Sequence, residues 1–177
     1  MRIISGTHKG RRITAPRQLP VRPTTDMAKE ALFNILHHSY YFEELSVLDL
    51  YAGTGNISYE FASRGCDNII SVDSSHHCIR FIEATSKAME FPISAIKAEV
   101  LDYLGRGSLK FDIIFADPPY DKPLEEFLRI RELVYEKEML LEGGVLIIEH
   151  SKHTDLSNEE HFEQSRRYGG SIFSFFR

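Results

Sequence analysis

The sequence predicts an α/β protein with a doubly wound, mainly parallel sheet, a C-terminal antiparallel hairpin and an N-terminal β-hairpin extension. Three observations predict it. Short apolar runs alternate with amphipathic helix-length segments from residue 46 to residue 150, the rhythm of right-handed βαβ crossovers. A glycine turn follows the first apolar run, where such sheets bind ligands. Two aromatic-rich runs at the end of the chain are joined by Tyr168-Gly169-Gly170, a hairpin signal.

"MRIISGTHKGRRITAP" reads as two short strands around a Gly6–Gly10 turn, and "APRQLPVRPTT" as an extended connector. Ala28, Ala31, Leu32, Ile35 and Leu36 give one apolar helical face, capped by Thr25 or Asp26. "SVLDL", "NIISVD", "ISAIKA", "FDIIFAD" and "GGVLIIEH" are five successive strands. Between them lie helices: "NISYEFASRG", closed by Gly65; "SSHHCIRFIEATSKAME", with Ile79, Ile82, Ser86 and Met89 inward; the short "VLDYL"; and a segment marked by Leu124, Phe127, Leu128 and Val134. No repeat or second domain interrupts the pattern, so residues 1–177 read as one domain, with 1–24 as a basic extension.

At 177 residues, 42% hydrophobic and 27% charged, the chain suits one soluble core. No apolar run approaches the ~20 residues of a membrane span, and there is no secretory pattern. Cys66 and Cys78 form no C-x-x-C pair and read as free thiols of a cytoplasmic protein. The histidine pairs match no ligand spacing, so no metal is expected. Charge is uneven. Arg2, Lys9, Arg11, Arg12, Arg17 and Arg22 give residues 1–22 a charge of +6 within a net −5, leaving −11 for the rest. A basic arm on an acidic body points to a polyanion held at one end.

After the first strand, "DLYAGTG" places Gly53 and Gly55 where a tight turn lets backbone approach a ligand. Ser58 stands where the dinucleotide fingerprint has its third glycine, and Asp73 closes the second strand 20 residues after Gly53, the spacing of a ribose-binding acid. Asp49 would repel a pyrophosphate, so the pair of acids suits a ligand with an amino group and a ribose. Glu99, after the third strand, is placed to meet an adenine amino group, with Asp102 as competitor.

The fourth strand runs into Asp117-Pro118-Pro119-Tyr120. Each residue before a proline is pushed toward extended geometry, which displays Asp117 stiffly beyond the strand end. An exocyclic amine on a nucleobase is a poor nucleophile because its lone pair is delocalised into the ring. The Asp117 carboxylate and Pro118 carbonyl are two rigid acceptors for its hydrogens, and Tyr120 offers a ring for an unpaired base to stack on.

These ordered motifs resemble those of class I S-adenosylmethionine-dependent methyltransferases, a Rossmann-like fold. D-P-P-Y resembles the signature of enzymes that methylate amino nitrogens of bases. "RIISGTHKGRRI", "RPTTD" and "AKEALFNIL" closely resemble the RsmD-type bacterial ribosomal RNA guanine-N2 methyltransferases, and the resemblance runs to the final "SIFSFFR". It implies that Asp49, Tyr51, Gly53, Gly55 and Asn56 hold the methionine end, Asp73 the ribose, and Glu99 with the Val100 backbone the adenine. The family's usual aspartate at that last position is glutamate here. It implies catalysis by Asp117, Pro118, Pro119 and Tyr120, RNA contacts by Arg2, Lys9, Arg11, Arg12, Arg17 and Arg22, and an active-site border at Pro23 and Thr24. The implied substrate is a guanine of small-subunit ribosomal RNA, within an assembled or assembling particle, acted on by a monomer. The alternatives are a DNA adenine-N6 methyltransferase, disfavoured because only 57 residues follow Tyr120; a non-catalytic RNA-binding module, disfavoured by the intact D-P-P-Y; and a nicotinamide dehydrogenase, disfavoured by Asp49 and D-P-P-Y.

Overall fold

The structure, a computed structural model, describes residues 1–16, 19 and 24–177. Much of the expected connector, including Arg17, Arg22 and Pro23, lies outside the described residues. Among the described residues, five α-helices and seven strands follow the predicted order from α1 onward: α1 (Asp26–His37), β1 (Ser46–Leu50), α2 (Asn56–Ser63), β2 (Asn68–Asp73), α3 (His76–Met89), β3 (Ile93–Lys97), α4 (Val100–Gly105), β4 (Phe111–Ala116), α5 (Leu124–Glu136), β5 (Leu140–His150), β6 (Phe162–Tyr168) and β7 (Ser171–Phe176). They form one sheet in the order β3-β2-β1-β4-β5-β7-β6. Pairings among β1 to β5 are parallel; β7 runs antiparallel between β5 and β6. The chain moves outward from β1 through β2 to β3, then resumes at β4 on the other side of β1. That reversal puts the ends of β1 and β4 next to each other at the switch point.

Alternation along the central strands makes two cores. Val47, Ile113, Phe115, Val145 and Ile147 face α1, α2 and the N-terminal segment. Leu48, Ile114, Leu146 and Ile148 face α4 and α5. No helix among the described residues is long and apolar enough to cross a membrane, and no group of three or more His, Cys, Asp or Glu is placed to hold a metal.

Some elements differ from the sequence reading. The N-terminal segment makes a single antiparallel bridge, Arg2 to Arg12, rather than two strands, although Ile3 and Gly10 exchange hairpin bonds with their partners (Ile3 N–H to Arg11 O, 2.9 Å; Gly10 N–H to Ile3 O, 2.8 Å). It folds down because Ile3 and Ile13 bury against the core. On α1 the buried face is Ala28, Lys29, Leu32, Phe33 and Leu36; Ala31 and Ile35 are only half-buried, because a lysine with buried partners turns the helix toward them. Of the residues that mark α5, Phe127 and Val134 are buried, Leu128 is half-buried and Leu124 is exposed, and Ile130 and Leu133 complete the buried face. The fifth strand starts earlier, at Leu140, with a register shift against β4 between Phe111 and Ile113.

Every residue of α2 is buried, polar ones included. The sheet covers one side and the N-terminal hairpin the other. Glu60 accepts from the backbone N–H of Ile4 (2.8 Å) and Ser5 (3.0 Å) and pairs with Lys29 (3.5 Å) and Arg64 (2.9 Å). Lys29 also donates to Arg2 O and Asn56 Oδ1, both at 2.7 Å. Thr7 N–H reaches Ser63 O at 2.7 Å. Gly6, at φ 82°, lies so close that a Cβ there would stand 1.7 Å from that same oxygen.

Candidate active site

At the C-terminal ends of β1, β2 and β4 lies a cavity of about 630 Å³. It brings together Asp49, Tyr51, Gly53, Asn56, Asp73, Glu99 and Val100 on one side and Asp117, Pro118, Pro119 and Tyr120 on the other, with Thr24 at its border. Gly55 does not line it. Gly55 caps α2 at φ 78° and packs beneath Tyr59, whose ring carbon a Cβ would approach to 2.8 Å. Of the two acids competing for the third position, Glu99 lines this cavity and also a neighbouring surface groove, whereas Asp102 lines the groove and not the cavity.

The glycine loop owes its shape to left-handed backbone at Tyr51 (φ 57°), Gly53 (φ 54°) and Gly55. Tyr51 tolerates that strained conformation with its hydroxyl anchored to Glu126 Oε1 at 2.9 Å. The loop is clamped by Asp73, whose Oδ2 accepts from Gly53 N–H and Oδ1 from Ser75 N–H, each at 2.8 Å. Asp49 is buried. Its Oδ2 accepts from the Ser58 N–H (3.2 Å) and hydroxyl (2.5 Å), which explains a serine where a dinucleotide loop has glycine. Desolvation pushes the Asp49 carboxyl up to about 7, against the Ser58 bonds, with Asp73 adding to the rise. The Asn56 side chain is committed to structure: it accepts from Lys29 and donates to Thr24 O at 3.0 Å.

Asp117 N–H donates to Leu50 O at 3.3 Å, which ties the proline turn to the end of β1 beside the glycine loop. Pro118 is buried, Asp117 and Tyr120 half-buried, and Pro119 exposed. The turn is thus less open than the sequence suggests. The Tyr120 hydroxyl donates to Glu149 Oε1 at 3.0 Å and lies 3.2 Å from Ser171 Oγ. Burial, with Glu149 adding to it, holds that hydroxyl well above its ordinary pKa, so it stays protonated. Glu149, Tyr168, Gly169, Gly170 and Ser171 all line the cavity and escaped the sequence reading. A signal for Glu149 existed: it continues the inward stripe Val145, Ile147 with an acid.

Of the basic residues, Lys9, Arg11 and Arg12 are exposed on the docked hairpin. Arg2 is exposed too and pairs with Asp26 at 3.6 Å. The hairpin begins near the glycine loop, with Thr54 Oγ1 3.8 Å from Met1 Sδ.

A sheet in this order, with a glycine loop between two acids after its first strand and an acid-proline turn after its fourth, defines a class I S-adenosylmethionine-dependent methyltransferase. The Thermus thermophilus 16S rRNA N2 G1207 methyltransferase RsmC, solved with AdoMet and guanosine, superposes with a TM-score of 0.66 at 20% identity over 87% of this chain and 43% of that one, a likeness of fold. The chain belongs to the family described as Conserved hypothetical protein 95, whose model matches residues 1–177, and which comprises the RsmD-type rRNA methyltransferases. YlbH of Bacillus subtilis is 34% identical over 161 residues, 88% of this chain and 85% of that one. The ribosomal RNA small subunit methyltransferase D of Haemophilus influenzae is 26% identical over 182 residues, 99% of this chain and 91% of that one.

Proposed function

We propose that this protein transfers a methyl group from S-adenosylmethionine to the exocyclic N2 amino group of a guanine in small-subunit ribosomal RNA. The observation that carries the reading is the single cavity that joins the glycine-loop acids to the Asp117–Tyr120 turn, so that methyl donor and amine acceptor would share one cleft. The names of the relatives support RNA of the small subunit, and the fold neighbour solved with guanosine supports the base.

The residues present fit the cofactor. Left-handed glycine backbone opens the loop to close approach. Asp49 offers a buried acceptor for an ammonium, Asp73 a backbone-fixed acceptor for ribose hydroxyls, and Glu99 with the Val100 backbone, both lining the cavity, would meet the adenine. When bound, S-adenosylmethionine supplies a methyl group activated by its sulfonium. The Asp117 carboxylate and Pro118 carbonyl accept the two amine hydrogens and hold the nitrogen lone pair toward the donor. Asp117 takes the proton that the nitrogen loses as its bond to the methyl forms. Tyr120 stacks on the base, worth about 1–3 kcal/mol. Lys9, Arg11 and Arg12 on the docked hairpin grip phosphates, which position RNA without reading its sequence.

The test is to incubate the protein with labelled S-adenosylmethionine and, separately, small ribosomal subunits, naked ribosomal RNA and DNA, then digest and identify the labelled nucleoside. N2-methylguanosine from the small-subunit arms is expected, and the comparison of subunit with naked RNA identifies the preferred form. Label in N6-methyladenine of DNA would replace this reading.

A further inference from the structure

We infer that Glu149 is the positioning residue of the methyl-transfer site: it acts through Tyr120, fixing the ring on which the target base stacks. The inference rests on the methyl-transfer reading above.

Glu149 occupies the last inward position of β5 before the cavity. Strand alternation sends Val145 and Ile147 into the apolar core on the α1 side, and the same face then delivers Glu149, only 2% exposed, opposite Phe173 of β7. An aliphatic residue would continue that stripe without desolvating a carboxylate, and burying a charge is unfavourable unless hydrogen bonds compensate. Here they do, from two separate segments. Oε1 accepts from the Tyr120 hydroxyl at 3.0 Å and Oε2 from the Thr24 hydroxyl at 2.9 Å. Ser171 Oγ, at the tip of the β6–β7 hairpin, meets the same Tyr120 hydroxyl at 3.2 Å. One carboxylate therefore joins the proline turn, the border of the connector and, through Tyr120, the last hairpin, all of which line the cavity.

The two prolines stiffen the backbone of the turn but leave the tyrosine free to rotate about its own side-chain bonds. A ring held at its far end by Glu149 and Ser171 has lost that freedom before RNA arrives, and pre-ordering of this kind favours the reactive geometry. Because the hydroxyl is the handle, Glu149 influences transfer only while Tyr120 carries one.

A double-mutant cycle tests this. Glu149→Ala, Tyr120→Phe and the pair are compared in single-turnover transfer to small ribosomal subunits. S-adenosylmethionine binding by calorimetry and thermal unfolding are followed alongside. Each single variant should slow transfer about 10–100-fold with cofactor affinity within about 2-fold of the parent, and the pair should be no slower than the worse single variant. Glu149→Gln keeps a carbonyl acceptor for Tyr120 and an amide donor for Thr24 Oγ1, so it should restore most of the rate. It also replaces Glu149→Ala in the cycle if the alanine variant does not fold. Effects that multiply in the double variant would overturn the inference, because Glu149 would then act without Tyr120. A parent that transfers no methyl to any ribosomal RNA would instead overturn the methyl-transfer reading. The unfolding cycle still measures the Glu149–Tyr120 coupling in that event, and additive unfolding effects there would remove the pair itself.

Discussion

At the scale of single residues, the proposed chemistry turns on Asp117. An ionised aspartate only accepts hydrogen bonds, so it favours an amine over a ring carbonyl. Asp117→Ala should lower single-turnover transfer by about 10²–10⁴-fold, and Asp117→Asn, which keeps one carbonyl acceptor, should retain part of it. Near-parental transfer by the alanine variant would reduce D-P-P-Y to a stiff turn. Asp73→Ala removes the proposed charge-assisted partner of the ribose and also unclamps Gly53 N–H. Calorimetry should find S-adenosylmethionine binding weaker by about 1.5–3 kcal/mol, and unchanged affinity in a folded variant would remove the ribose role. Asp49 predicts a pH dependence. Burial pushes its carboxyl up to about 7, so the free protein holds a proton there below that pH. A cofactor ammonium selects the ionised form, so binding should tighten from pH 6 to pH 8 and release a proton at the acid end. Calorimetry in buffers of different ionisation enthalpy counts that proton, and Asp49→Asn should abolish both the release and the slope. At Tyr120, ring chemistry alone suggests that phenylalanine would serve nearly as well. The bond to Glu149 changes that expectation, because a phenylalanine leaves a buried carboxylate oxygen without its hydroxyl donor.

At the scale of elements, the N-terminal hairpin does two separable things. Its outward side chains Lys9, Arg11 and Arg12 are exposed and take no part in docking. Changing all three to alanine should weaken RNA binding and flatten its salt dependence, with cofactor affinity unmoved. Equal salt slopes for variant and parent would refute a phosphate role. Its inward backbone, by contrast, is stapled to α2. Gly6→Ala places a Cβ against Ser63 O at a left-handed φ, so the variant should lose about 2–3 kcal/mol in denaturant unfolding. It should also lose RNA affinity despite keeping every positive charge. Parental stability would mean that the close approach of the hairpin to α2 is dispensable.

At the scale of the whole molecule, the arm completes the burial of α2. With residues 1–13 removed, Glu60 loses two backbone donors, Lys29 loses the Arg2 carbonyl, and the core surface that Ile3 and Ile13 cover is opened to water. Deleting those residues should therefore lower the unfolding midpoint of the entire domain in a single transition, rather than yield a parent-like core that merely fails to bind RNA. A truncated protein with the parental midpoint would make the arm an independent appendage.

Composition and periodicity are local properties, and what depends on them was legible in the chain. Alternating runs marked the strands from Ser46 to His150, Tyr168-Gly169-Gly170 marked the last hairpin, and the motif spacings of Asp49, Gly53, Asp73, Glu99 and Asp117 brought together side chains that share one cavity. Contacts between distant segments decided the rest. Nothing in the run Lys29-Glu30-Ala31 says that the lysine is interior, because its partners Glu60 and Asn56 lie a helix and a strand away. Nothing near Gly55 separates a cofactor contact from a packing position until Tyr59 is seen above it. Glu149 and Tyr120 are 29 residues apart and belong to different elements. Their hydrogen bond exists only because β4 and β5 are neighbours in the sheet, and a buried carboxylate takes its donors, here Tyr120 and Thr24, from the segments that the tertiary structure brings to it.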